Sequence, residues 1–175
     1  MKINIIGPCA SGKTCIAKYI GKKKKIDYIS LDNYFLDFKN ISKIHVGHHS
    51  ADEVLEKIGD KLSRKNWILE GIFILEEIMD KCDKIVYVKP KMLTCLKRQW
   101  SRYFNESEQR KKFGLVNNVG LSVIIIGQYL SKSEYFMFDK FEYSTVFGIE
   151  KKLRLYEGKV VEVNGIENAK KIGML

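Results

Sequence analysis

Gly7-Pro8-Cys9-Ala10-Ser11-Gly12-Lys13-Thr14 forms a full G-x-x-x-x-G-K-[ST] pattern directly after Lys2-Ile3-Asn4-Ile5-Ile6. Residue types at this spacing are suited to holding phosphate. Gly7 and Gly12 free the backbone to curl, so that successive N–H groups point inward at anionic oxygens. A helix starting near Gly12 adds its positive end. Lys13 offers a mobile ammonium to the outer phosphates, and the Thr14 hydroxyl is a ligand suited to Mg²⁺. Pro8, Cys9, Ala10 and Ser11 complete the loop; Pro8 is tolerated because the first position need not donate. The rival is a glycine turn that happens to carry Lys-Thr. Four fixed positions match by accident in well under about one in a hundred chains of this length, and both flanks have the required character. The loop alone does not separate transfer of a phosphoryl group from hydrolysis or a switch.

Further along are acids that could complete such a site. Ile26-Asp27-Tyr28-Ile29-Ser30-Leu31 reads as a strand, and Asp32 falls at its carboxyl end, the edge where ligands collect in open α/β sheets. Asp32 is expected to meet a substrate or Mg²⁺, to cap the next helix, or both. Trp67-Ile68-Leu69 reads as another buried strand ending at Glu70-Gly71. An acid there is placed to support Mg²⁺, and the extra methylene of Glu favours a water-mediated contact over a direct one. Arg98 and Arg102 lie four apart on a long helical segment, and so share a face. Two guanidinium groups on one face suit a clamp over a transferring phosphoryl group, although an ordinary exposed basic helix has the same pattern. His45, His48 and His49 raise the question of metal. With no Cys or carboxylate at ligand spacing beside them, no structural zinc site is expected.

The elements that must carry these residues follow from periodicity. Apolar spacing after Thr14 predicts a helix, Val54, Leu55, Ile58 and Leu62 an amphipathic helix over 51–62, and Lys84-Ile85-Val86-Tyr87-Val88 a strand closed by Lys89-Pro90. Residues 72–81 read as helix, as do 92–112. The apolar stretch 115–130 reads as a core helix with strand as the alternative around Val123-Ile124-Ile125-Ile126. Residues 135–147 are rich in aromatics, for which core packing or a subunit contact is the expectation. Lys159-Val160-Val161-Glu162-Val163-Asn164-Gly165 reads as the last strand, and 166–172 as a terminal helix. Residues 33–50 are irregular and suit a polar flap over an acceptor.

A chain of 175 residues with 45% hydrophobic content supports one domain with a full core. Its early strand and short apolar runs predict neither a secretory leader nor a membrane span. Cys9, Cys15, Cys82 and Cys95 make no C-x-x-C pair, so reduced, mostly buried thiols in a cytoplasmic protein are expected. The net charge of +10 attracts anions, either nucleotides or a nucleic-acid backbone. The run Lys22 to Lys25 reads first as a solvated helix end and second as a nucleic-acid patch.

Leu31-Asp32 on the second strand, Trp67-Ile68-Leu69-Glu70-Gly71-Ile72 on the third, Lys89-Pro90, and the helix Cys95-Leu96-Lys97-Arg98-Gln99-Trp100-Ser101-Arg102 together resemble the small P-loop kinases such as the adenylate and shikimate kinases. The nearer likeness is to the adenylate kinase-related, or topology modulation, proteins of bacteria. In these the third-strand motif reads Trp-hydrophobic-hydrophobic-Asp-Gly-Asn, so Glu70 and Ile72 depart from it, and the arginine- and proline-rich lid sequence after the paired arginines is absent. The resemblance covers residues 1–112. It implies a three-layer α/β fold with a parallel sheet of about five strands in the order 2-3-1-4-5, and phosphotransferase activity.

The expected function is therefore that of an ATP- and Mg²⁺-dependent kinase. ATP would lie on residues 7–14, with Mg²⁺ on Thr14 and Glu70. Asp32 would orient or deprotonate a small acceptor such as a nucleoside or nucleotide. Arg98 and Arg102 would spread transition-state charge, and a helical segment around 92–114 would act as a lid. The alternatives are a kinase of nucleic-acid 5′ ends and a non-catalytic nucleotide-binding regulatory module.

Overall fold

A computed structural model describes residues 1–37, 47, 48, 50–105, 114–138 and 141–171. In chain order these form β1 (Lys2–Ile6), α1 (Lys13–Lys24), β2 (Tyr28–Ser30), α2 (Asp32–Phe35), β3 (Leu36–Asp37), β4 (Gly47–His48), α3 (Ala51–Leu62), β5 (Trp67–Gly71), α4 (Glu76–Lys81), β6 (Lys84–Val88) and α5 (Met92–Asn105). There follow α6 (Gly114–Leu130), β7 (Tyr135–Phe138), β8 (Phe141–Ser144), α7 (Val146–Leu153), a 3₁₀ turn (Arg154–Lys159), β9 (Val160–Val163) and α8 (Ile166–Lys171).

Five strands pair in the order β2-β5-β1-β6-β9, every neighbouring pair parallel. Numbered along the chain, that is 2-3-1-4-5, as expected. Such strands are covered on both faces, which is why they read as near-continuous apolar runs. Alternation along β1 sends Ile3 and Ile5 to one cluster and Ile6 to the other. The first cluster is closed by Ile16, Ala17 and Ile20 of α1 and Ala169 of α8. The second is closed by Val54 and Ile58 of α3, Ile78 and Met79 of α4, and Ile149 of α7. The result is three layers, with a sheet between two sets of helices.

α3 starts at a capping box: Ser50 accepts from the Glu53 N–H at 3.2 Å, and the Glu53 carboxylate accepts from the Ser50 N–H at 3.0 Å. α6 resolves the ambiguity of the apolar stretch in favour of helix and extends through Val123-Ile124-Ile125-Ile126. It is fastened to α5 by Gln99 Nε2 donating to Asn118 Oδ1 at 2.8 Å and by a Cys95–Tyr129 contact at 3.4 Å.

Several expectations are corrected. β2 begins at Tyr28, because Ile26 is still closing α1 with its N–H on the Gly21 carbonyl at 3.0 Å. Residues 72–75 are not helical. Ile72, Phe73, Ile74 and Leu75 all pack against the interior, which a single helical face cannot arrange for four consecutive residues, and the helix begins only at Glu76. The aromatic stretch is an antiparallel hairpin, β7 with β8, followed by α7, whose first turn is capped by Thr145 accepting from the Gly148 N–H at 2.9 Å. Tyr135 and Phe147 are exposed there, so of the two expected roles core packing does not apply to these side chains. All four thiols are free, but Cys15 is exposed and Cys9 only half-buried. Among the described residues no helix is long and apolar enough to cross a membrane.

Candidate functional site

The parallel sheet brings the carboxyl ends of β1, β2 and β5 to one edge, where residues 7–12 join β1 to α1. Gly7 leaves β1 so close to β6 that an added Cβ would overlap the Val88 carbonyl oxygen. Gly12, at φ 103°, caps α1 in a left-handed conformation that a side chain would disfavour. Ala10 is also left-handed, at φ 56°. Left-handed residues in a short turn are the backbone geometry of anion-binding nests. Among the described residues no acceptor takes the N–H of Ala10, Gly12, Lys13 or Thr14. The N–H of Cys9 does have a partner, Gln128 Oε1 at 3.0 Å, and the Ser11 N–H closes on the Pro8 carbonyl at 3.3 Å.

Lys13, 6% exposed, folds across the loop and donates from Nζ to the Pro8 carbonyl at 2.9 Å. Arg98, from α5, approaches from the other side and donates to the Ser11 carbonyl. Its guanidinium also lies against Gly12 and Gly165. Of the two arginines expected to share a helical face, Arg98 reaches the loop backbone, while Arg102, one turn further on, is exposed. Although Cys9 as a residue is half-buried, desolvation of its thiol pushes it up to about 11 against the pull of Lys13.

The acidic side is built by β2 and β5, paired Ser30 to Glu70. Glu70 is 2% exposed, and its carboxylate accepts from the Ser30 and Thr14 hydroxyls. Its Oε2 has no partner among the described residues. Burial raises its pKa, opposed by Ser30, Lys13 and Thr14 and reinforced by Asp32. Asp32 is the first residue of α2. Its Oδ1 accepts the Ile72 N–H at 3.1 Å, tying the end of β2 to the end of β5. A hydroxyl, an orphaned carboxylate oxygen and a second carboxylate form a hard-oxygen donor set that suits Mg²⁺. This ion keeps waters and substrate phosphates as ligands rather than a protein cage. Among the described residues no group of three or more His, Cys, Asp or Glu could hold a metal.

The Glu70 pKa gives a pH test. A carboxyl raised above its unfolded value contributes stability that is present below that unfolded value, near 4.5, and is lost as pH rises through the folded value. The metal-free protein is expected to lose melting temperature over that interval. Glu70→Gln should flatten the loss, and added Mg²⁺ with nucleotide should reverse it in the unsubstituted protein only. Melting curves across acid to neutral pH provide the check, and identical profiles for both proteins would refute the role given to Glu70.

Next to α2, Phe35 stacks on Phe73 with centroids 4.1 Å apart, and Lys61 Nζ donates to the Tyr34 hydroxyl. The side chains of His45, His48 and His49 and the end of the expected lid segment lie outside the described residues. Two contributions escaped the sequence reading. Arg98 was expected at phosphate rather than at Ser11, and Gln128 was not expected at the loop at all. The only hint of the latter was a primary amide inside the most apolar stretch of the chain.

No family model matches the chain, and no curated protein matches it. Among solved structures it is similar to a shikimate kinase from Bacteroides thetaiotaomicron (14% identity, 94% of this chain and 86% of that one, TM-score 0.48). It is also similar to a gluconokinase from Sinorhizobium meliloti 1021 (15%, 67% and 73%, TM-score 0.44) and to a shikimate kinase from Aquifex aeolicus (15%, 70% and 81%, TM-score 0.41). The strand order and layers described above stand on the pairing of this chain's own strands.

Proposed function

We propose that this chain is an ATP-dependent phosphotransferase of the small P-loop kinase type, acting on a small hydroxyl- or phosphate-bearing acceptor. A nucleoside or nucleotide is the first class to test. One observation carries the proposal: the open amides of Ala10, Gly12, Lys13 and Thr14, the Lys13 ammonium, the Thr14 hydroxyl and the carboxylates of Asp32 and Glu70 all belong to the carboxyl edge of the sheet. In this reading the amides of Ala10, Gly12, Lys13 and Thr14 cradle the phosphates of ATP. Lys13 leaves the Pro8 carbonyl and takes up an outer phosphate oxygen. Thr14 and Glu70 would hold Mg²⁺, which neutralises phosphate charge when bound. Asp32, anchored through one oxygen, accepts the proton of an acceptor hydroxyl with the other. Arg98 keeps the Ser11 end of the cradle in shape, and Arg102 lies one turn away to meet developing charge. The chain acts as one domain, residues 33–50 form the acceptor flap and residues 92–114 the lid, and the free thiols suit the cytoplasm.

The test is ATP consumption with pooled nucleosides, nucleotides and small alcohols as acceptors, beside calorimetry of Mg-ATP uptake. Turnover stimulated by one pool is the expected result. Uptake without stimulation by any pool would move the chain to the regulatory class, and no uptake would remove the proposal. The charge of +10 favours the 5′-end kinase as second reading, and an oligonucleotide that binds with a steep salt dependence would favour it.

A further inference from the structure

We infer that Gln128 is a positioning residue for the phosphate loop, holding Cys9 out of the cradle so that the amides after it face the ligand; this rests on the nucleotide-binding reading above. Gln128 is 0% exposed and lies near the end of α6, a helix of 17 residues without a single charged side chain. A primary amide in such surroundings is destabilising if its polar atoms go unpaired, and both ends of this one are engaged. Oε1 accepts the Cys9 N–H at 3.0 Å, across 119 residues of chain, and Nε2 donates to the Ser144 carbonyl at 3.0 Å. The partners leave one orientation possible, because a backbone N–H can only donate and a carbonyl can only accept. Turning the amide over would oppose donor to donor and acceptor to acceptor.

The consequence falls on Ala10. Its left-handed φ of 56° is disfavoured for alanine, and such a conformation persists where the surroundings over-determine it. Here Cys9 is held by Gln128 and Ser11 by Arg98, so the left-handed residue is bracketed by side chains from two different helices. Release at Cys9 lets Ala10 relax, and the N–H groups that follow lose their common direction. Ser144 ends β8, so the same amide also joins the loop to the β7–β8 hairpin.

The test uses the full chain and reads Mg-ATP affinity by calorimetry at several pH values, with cysteine-labelled NMR to follow exchange of the Cys9 amide proton. Gln128→Leu is expected to weaken Mg-ATP by about tenfold or more, the cost of a lost buried hydrogen-bond pair, and to expose the Cys9 amide to exchange. Gln128→Glu keeps an acceptor for Cys9 but, when ionised, sets an oxygen against the Ser144 carbonyl. Its affinity should therefore be low at neutral pH and recover on acidification, as protonation restores the donor. The unsubstituted protein should show no such recovery. Adding Ala10→Gly to Gln128→Leu should restore part of the affinity, because glycine adopts the left-handed conformation freely. If the unsubstituted protein binds Mg-ATP and Gln128→Leu binds it equally, or if Gln128→Glu shows no pH-dependent recovery, the assignment is overturned while the kinase reading stands. No uptake by the unsubstituted protein overturns both.

Discussion

Lys13→Ala is expected to lower the rate of phosphoryl transfer by about a hundred- to a thousandfold, the typical effect of removing one preorganised charge donor from a transition state. Each factor of ten corresponds to about 1.4 kcal/mol, so the loss is about 3–4 kcal/mol in activation free energy. The folded state has less at stake. The bond lost there is one donation from Nζ to the Pro8 carbonyl at 2.9 Å, worth about 1 kcal/mol net. Activity and stability should therefore separate: the variant stays folded by circular dichroism, melts within a few degrees of the parent and has almost no turnover. A variant that retains turnover would contradict the mechanism. One that unfolds would mean that the ammonium's resting contact, and not its reach to phosphate, is what the loop depends on.

Asp32→Asn is expected to cost about a hundred- to ten-thousandfold in turnover at saturating acceptor, the range for a positioned general base. The substitution is chosen because it spares the scaffold. Asn retains an oxygen that can accept the Ile72 N–H, now bonded to Asp32 at 3.1 Å, so the ends of β2 and β5 stay joined. Only charge and basicity are removed. Asp32→Ala breaks that join as well and should lower the melting temperature, which Asp32→Asn should not. Unchanged turnover in Asp32→Asn together with a destabilised Asp32→Ala would leave the residue as an anchor and nothing more.

The outline of this site could be read from the chain because its parts are local. A glycine-framed loop, an acid closing each of two apolar runs and a buried parallel strand leave signatures within a few residues. That is why β1, α3 and β6 fall where their patterns place them. What could not be read is non-local. Gln128 finds Cys9 across 119 residues, and no periodicity in α6 marks the position that will face the loop. Arg98 shows the same limit: its spacing to Arg102 gives a shared helical face, but the Ser11 carbonyl as its target depends on how α5 docks. Residues 72–75 misled for another reason. Four apolar residues in a row suit a buried segment of any conformation, and Asp32 holds the first of them in place.

The two fastenings on the loop also set an order of events at birth. Arg98 and Gln128 lie 87 and 119 residues beyond the atoms they hold. At synthesis rates of about 5–20 residues per second, the glycine-rich turn leaves the ribosome roughly 6–24 seconds before its second clasp is made. During that interval a nascent chain carries the whole signature of a triphosphate receptor without its working shape. Competence should therefore arrive as a late step, gated by translation of the distal helix rather than by emergence of the motif.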